Sequence, residues 1–235
     1  MTKRVLLGLL ALFLFSEGKA SENLSQLDAD ARLLVLDSTN TSRQRYTDTQ
    51  IYEYLNQAQR LAISQSYCLQ QNIVFQLTPG TTYYTLPANY EEITRVTIGS
   101  KYIPQQSVAA LDGKSRGWEA ASGYPTYYFI NFSSRSLIGF APFPMQASDT
   151  DTIKVEYSIA PTDMVNPTDL PFNGINELQV YDHLLAYYAG SIMSGINSIP
   201  DLAKNYMDMY MQGIGLMSKR CNSQSQYLPS AAGSP

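Results

Sequence analysis

Apolar residues recur at helical spacing near both ends of this chain and at strand spacing between them. From Leu24 the residues Leu27, Ala31, Leu34 and Val35 share one helical face, and Asp37-Ser38-Thr39-Asn40 supplies a stop. Thr47-Asp48-Thr49-Gln50 has the form of a capping box, in which a hydroxyl and a side-chain amide satisfy orphaned backbone donors. It opens a helix whose stripe is Ile51, Tyr54, Leu55, Ala58, Leu61 and Ala62. Near the other end, Leu178, Tyr181, Leu184, Leu185, Tyr188 and Ile192 line a helix that begins at Asn176. Pro200 opens a last helix with the stripe Leu202, Tyr206, Met209, Tyr210, Gly213 and Met217.

After Gln71 the period falls to two. Ile73, Phe75 and Leu77 alternate with Val74 and Gln76, and Thr78-Pro79-Gly80-Thr81 suits a type II turn. The pattern predicts a hairpin returning along Tyr83–Leu86, a second across Gly99-Ser100 and a third turning at residues 133–136. Ile153, Val155, Tyr157 and Ile159 form the clearest strand, with Thr152, Lys154, Glu156 and Ser158 on its wet face. Residues 108–124 read as a long surface loop. Loops of that length tend to be functional, so Lys114, Arg116 and Trp118 become candidate partner contacts.

This order predicts an α+β fold: a helical bundle formed by N- and C-terminal helices, an inserted antiparallel β domain and an extended C-terminal tail. The boundaries fall at an apolar N-terminal segment, 1–23, a first half-bundle, 24–72, a β domain, 73–165, a second half-bundle, 166–220, and a polar tail, 221–235. The expectation is that Leu27–Ser66 packs against Asn176–Arg220 as one bundle.

Composition narrows the function. The net charge is −4 and only 15% of residues are charged, so no basic field gathers phosphates along a nucleic acid. The 18 tyrosines suit half-wet protein interfaces, and they suit strands equally well. Cys68 and Cys221, with a single histidine, do not make up a familiar zinc site, so each cysteine reads as a small half-buried thiol and no metal is expected. Lys3 and Arg4 followed by an apolar run to Phe15 and by Gly18-Lys19-Ala20 have the composition of a secretory signal; the competing reading is an apolar helix held against a partner.

Little catalytic chemistry is visible. Asp112-Gly113-Lys114-Ser115 ends like a phosphate loop but has Val108 in place of the leading glycine. His183 is the one candidate general base and lies beside Asp182 on a helix without a glycine-flanked serine. The reading is therefore not an enzyme, and no cofactor is expected.

Several stretches resemble the head-to-tail adaptor proteins of short-tailed bacteriophages. They are Leu27-Asp-Ala-Asp-Ala-Arg-Leu-Leu-Val-Leu-Asp37 with Arg45-Tyr-Thr-Asp48 and Tyr54-Leu-Asn-Gln-Ala-Gln-Arg60; Tyr84-Thr-Leu-Pro-Ala-Asn-Tyr90 running into Ile93-Thr-Arg-Val96; Gly123-Tyr-Pro-Thr-Tyr-Tyr128, Ile138-Gly-Phe-Ala-Pro-Phe-Pro144 and Ile153-Lys-Val-Glu-Tyr157; and Leu170-Pro-Phe172 with Leu184-Leu-Ala-Tyr-Tyr-Ala189. The resemblance implies a structural virion part assembled in the host cytoplasm, a ring of about twelve copies between the portal protein and the tail nozzle protein. Tail fibres are a candidate partner in that picture, and it implies that genomic DNA passes through the ring without sequence-specific binding. It also implies that the C-terminal tail reaches the portal, with Tyr227, Leu228 and Pro229 as its anchor. The signal-like start departs from that picture and supports the alternative, an exported, envelope-facing β-rich binding protein.

Overall fold

A computed structural model of the protein describes residues 21–38, 44–114, 117–131, 134, 136–144 and 152–225. The fold is α+β, with helices flanking antiparallel sheets in the chain. The chain divides into two compact units. One holds the described residues through Ala62 together with Thr162–Met217, and the other holds Ile63–Pro161 together with the described chain from Ser218.

The first unit is helical. Helix α1, Leu24–Leu34, starts on a capping box in which Asn23 Oδ1 accepts the Gln26 amide and Gln26 Oε1 accepts the Asn23 amide. Helix α2, Asp48–Ser66, starts on the predicted box: the Thr47 amide reaches Gln50 Oε1 at 2.9 Å and the Gln50 amide reaches Thr47 Oγ1 at 3.3 Å. Ile51, Leu55, Ala58 and Ala62 are fully buried, as their stripe demands. Short 3₁₀ segments, Pro171–Gly174 and Asn176–Tyr181, lead to α4, His183–Ile196. The final helix, α5, spans Pro200–Ser225. The Tyr210 hydroxyl donates to the Ala58 carbonyl at 2.6 Å and ties α5 to α2, while the Tyr206 hydroxyl donates to the Leu34 carbonyl at 2.9 Å and ties α5 to α1. Gly213 admits the Leu184 side chain so closely that a Cβ there would lie 2.3 Å from its Cδ2.

The second unit carries two sheets. Strands β1 (Gln70–Gln76), β3 (Tyr90–Ile98), β4 (Lys101–Tyr102) and β7 (Thr152–Ile159) form one, in the order β1-β7-β3-β4. Strands β2 (Tyr83–Thr85), β5 (Tyr127–Ile130) and β6 (Leu137–Ala141) form the other, in the order β2-β6-β5. The hairpins β3–β4 and β5–β6 are those the alternation predicts. Gly139 lies opposite Phe129, whose ring takes the space of the missing side chain, with Cζ at 2.3 Å from a Cβ built there.

Four expectations are corrected. The hairpin predicted from 73–77 to 83–86 does not form: β1 pairs with β7, Ile73 opposite Val155 and Phe75 opposite Ile153, and β2 pairs with β6. The turn itself exists, with the Thr81 amide on the Thr78 carbonyl at 3.1 Å and Gly80 at φ 79°, but it passes the chain from one sheet to the other. Residues 108–124 are not one long loop. Val108–Lys114 forms helix α3, started by Ser107 Oγ accepting the Ala110 amide at 3.2 Å, and Trp118–Ala120 forms a 3₁₀ turn. The cysteines are not thiols, since Cys68 and Cys221 are joined in a disulfide with Cα atoms 5.5 Å apart. Nor does the polar tail begin at Cys221, because α5 runs on to Ser225.

Candidate functional site

The charged centre of the helical unit is Arg32, a side chain 1% exposed. Its Nε binds Asp28 at 3.0 Å, one terminal nitrogen binds Asp37 at 2.9 Å and the Tyr46 carbonyl at 3.0 Å, and the other binds Asp48 at 2.6 Å. A planar fork of donors meets acceptors from α1, the chain after it and the start of α2, and so fixes the entry to α2. Burial pushes the Asp28 carboxyl above the usual range despite Arg32. Burial pushes Asp37 the same way, but the backbone amides of Arg45, Ser38 and Tyr46, with Arg32, outweigh it and hold that carboxyl low. The Tyr46 hydroxyl, 2.9 Å from the Met193 carbonyl and 3.0 Å from Asn197 Oδ1, connects the same corner to the end of α4.

A second buried carboxylate holds the start of the described chain. Asp182 is 1% exposed; its Oδ2 accepts the Ser21 hydroxyl at 2.9 Å and the Glu22 amide at 3.1 Å. Burial, with the Glu22 charge adding to it, raises the carboxyl to about 7 even though both hydrogen bonds lower it. A carboxyl raised in the folded state binds its proton there more tightly than in the unfolded chain. Stability from this group is therefore full below the ordinary carboxylate value of 3.8 and is lost as pH rises to about 7. Asp182→Asn is expected to remove a loss of about 1–3 kcal/mol over that window, read as a flatter plot of unfolding free energy against pH. An unchanged slope would place the titration elsewhere.

Several apolar residues of the helical unit are exposed, among them Met209, which the α5 stripe read from the sequence puts on the buried face. Leu33 and Leu36 are 69% and 86% exposed, Ile196 and Ile199 about half exposed, and Met209 and Leu216 lie on one flank of α5. Leu34, beside them, packs inward at Gly190 in the middle of α4. Exposed apolar side chains at helix ends are available for protein contacts. The run Leu33-Leu34-Val35-Leu36 carried the signal: four consecutive apolar positions are more than one helix face buries.

The candidate loop residues are anchored in the β unit. Lys114 lies at the end of α3 with its Nζ 4.5 Å from the centre of the Tyr127 ring and 3.4 Å from Gln106 Oε1. Trp118 is buried among Leu111, Phe129 and Ala141, edge-on to Phe129, and its Nε1 donates to Asp112 Oδ1 at 2.7 Å. The structure brings Lys114 and Trp118 to one small core, in which the tryptophan is a packing residue. Arg116, Tyr227, Leu228 and Pro229 lie outside the described residues, as does the signal-like segment 1–20. His183 begins α4 with its ring edge-on to Tyr187. Among the described residues no group of three or more His, Cys, Asp or Glu side chains is placed to hold a metal ion, and no helix is long and apolar enough to cross a membrane.

Residues 22–233 match the family model described as SU10 adaptor protein. The chain belongs to the SU10 adaptor family. This is a family of phage head-to-tail adaptors, so the resemblance read from the sequence holds at the level of the family. No curated protein matches the chain. The SU10 adaptor match begins at Glu22, within the stretch that Asp182 holds, and runs past the end of α5.

Proposed function

We propose that this SU10 adaptor is a non-enzymatic ring subunit of a virion neck, placed between the portal protein and the tail nozzle protein around the DNA exit channel. The observation that carries the reading is the family match over 22–233. About twelve copies close the ring through heterologous contacts, in which one surface of each copy meets a different surface of the next. The exposed Leu33, Leu36, Ile196 and Ile199 supply apolar surface of the kind such contacts bury. The net charge of −4 lets DNA pass without being gripped. Assembly takes place in the host cytoplasm, and tail fibres are a candidate further partner.

The C-terminal segment docks on the portal, with Tyr227, Leu228 and Pro229 as a compact anchor in an otherwise polar stretch. The test compares portal capture by the full chain and by a chain ending at Ser225, which retains the whole of α5 and its disulfide. Capture by the full chain and at least about tenfold weaker capture by the shortened one are expected. Equal capture would remove the anchor from the mechanism, and absence of portal-bound rings with the full chain, viewed by electron microscopy, would overturn the reading itself.

A further inference from the structure

The sequence treats the two sides of the four-stranded sheet differently. On one side β4 has only two residues, and the stretch of β3 beyond it carries Glu91, Glu92 and Arg95 and two register shifts against β7. Short strands, charges and bulges are the devices that keep an edge from recruiting another strand. On the other side β1 runs seven residues in unbroken register with β7, without a charged residue, a proline or a glycine. None of the described strands pairs with its outer side.

The backbone parity of that edge is fixed. The Ile159 amide donates to the Leu69 carbonyl at 2.9 Å, and Gln70 lies opposite Ser158. In an antiparallel ladder the peptide groups of alternate residues face the partner strand, so Gln71, Ile73 and Phe75 turn theirs to β7 and Gln70, Asn72 and Val74 turn theirs outward. The Val74 side chain is 55% exposed.

We propose that β1 of a second copy pairs antiparallel with this edge about a two-fold axis at Ile73, making the two sheets continuous. That register sets Asn72 of one copy against Val74 of the other, both with outward peptide groups, and Gln71 against Phe75. Hydrogen-bonding positions then meet hydrogen-bonding positions on both strands, and no charge is brought against its like. The edge is its own complement, which is the reason to assign it to a second copy before a foreign strand. A two-fold contact does not repeat between neighbours in a cyclic ring, so the pair is a form of the free protein and does not depend on the ring proposed above.

The experiment is sedimentation equilibrium of the full-length protein at micromolar concentration, with hydrogen exchange of the Asn72 and Val74 amides across a dilution series. A dimer is expected, with both amides more protected at high concentration. Val74→Glu, at an exposed position opposite Lys154, is expected to weaken dimerisation at least about tenfold with thermal unfolding not lowered, whereas Val180→Glu, similarly exposed on the helical unit, leaves it intact. A wild-type monomer throughout, a dimer indifferent to Val74→Glu, or one broken equally by Val180→Glu overturns the proposal.

Discussion

Replacing Arg32 by methionine is expected to lower the free energy of unfolding by about 3–5 kcal/mol. Methionine replaces much of the volume of the stem, so the loss comes from the carboxylates left behind. Asp37 has a side chain 1% exposed and Asp28 one 16% exposed, and neither can recover the water it gave up on folding; Asp48, 55% exposed, largely can. The pH dependence separates this cause from simple cavity formation. In the parent, Asp37 is held low, so its contribution is present above the ordinary carboxylate range and is lost as pH falls through its depressed folded value. In the variant the unpaired Asp28 and Asp37 take up protons instead. The difference between the two proteins therefore narrows as pH falls through the carboxylate range, and Asp37→Asn added to Arg32→Met restores part of the stability. Urea titrations at several pH values measure it. A loss that stays constant with pH would assign the effect to packing alone.

What could be read from the sequence was what is decided within a few residues. The Thr47–Gln50 capping box, the Pro200 helix start and the turn around Gly80 each satisfy their own backbone groups, and the structure shows all three. Pairing is a different matter. The turn at Gly80 predicted a hairpin because adjacent strands usually pair, yet β1 found the alternating strand β7 about eighty residues on, a choice made by the matched apolar faces of Ile73 with Val155 and Phe75 with Ile153. Helix α3 was hidden by Asp112-Gly113-Lys114-Ser115, which looks like loop chemistry, while the deciding residues were the cap Ser107 and the inward Leu111. Arg32 showed only as one letter of a recognisable run; that it gathers three aspartates follows from where α2 begins. In the sequence Asp182 stands only as a neighbour of His183, whereas its chemistry comes from burial against Ser21 and Glu22, 161 and 160 positions away.

Replacing Cys68 and Cys221 together by serine is expected to lower the unfolding free energy by about 2–5 kcal/mol. The two residues are 153 positions apart, so in the unfolded chain the bond closes a very long loop, and the chain-entropy argument puts the effect near the top of that range. Each single replacement should match the double, because either one opens the loop, and a reducing agent should bring the parent to the same value. Thiol trapping adds a check on compartment. Protein taken from a reducing cytoplasm is expected to carry two free thiols, and protein from released particles the bond. The change should also be local in a definite place. Cys68 lies two residues before β1 and Cys221 four residues before the end of α5, so opening the bond lets the last turn of α5 fray and raises hydrogen exchange over 218–225 while Ile51 and Leu55 keep their protection. If the C-terminal segment engages a portal, fraying at the end of α5 moves the point from which that segment departs back along the helix, and portal capture by reduced protein should be weaker at equal concentration because the anchor is held less tightly in place. Unfolding and exchange that are both indifferent to the cysteines would show that α5 is held at its end by packing alone.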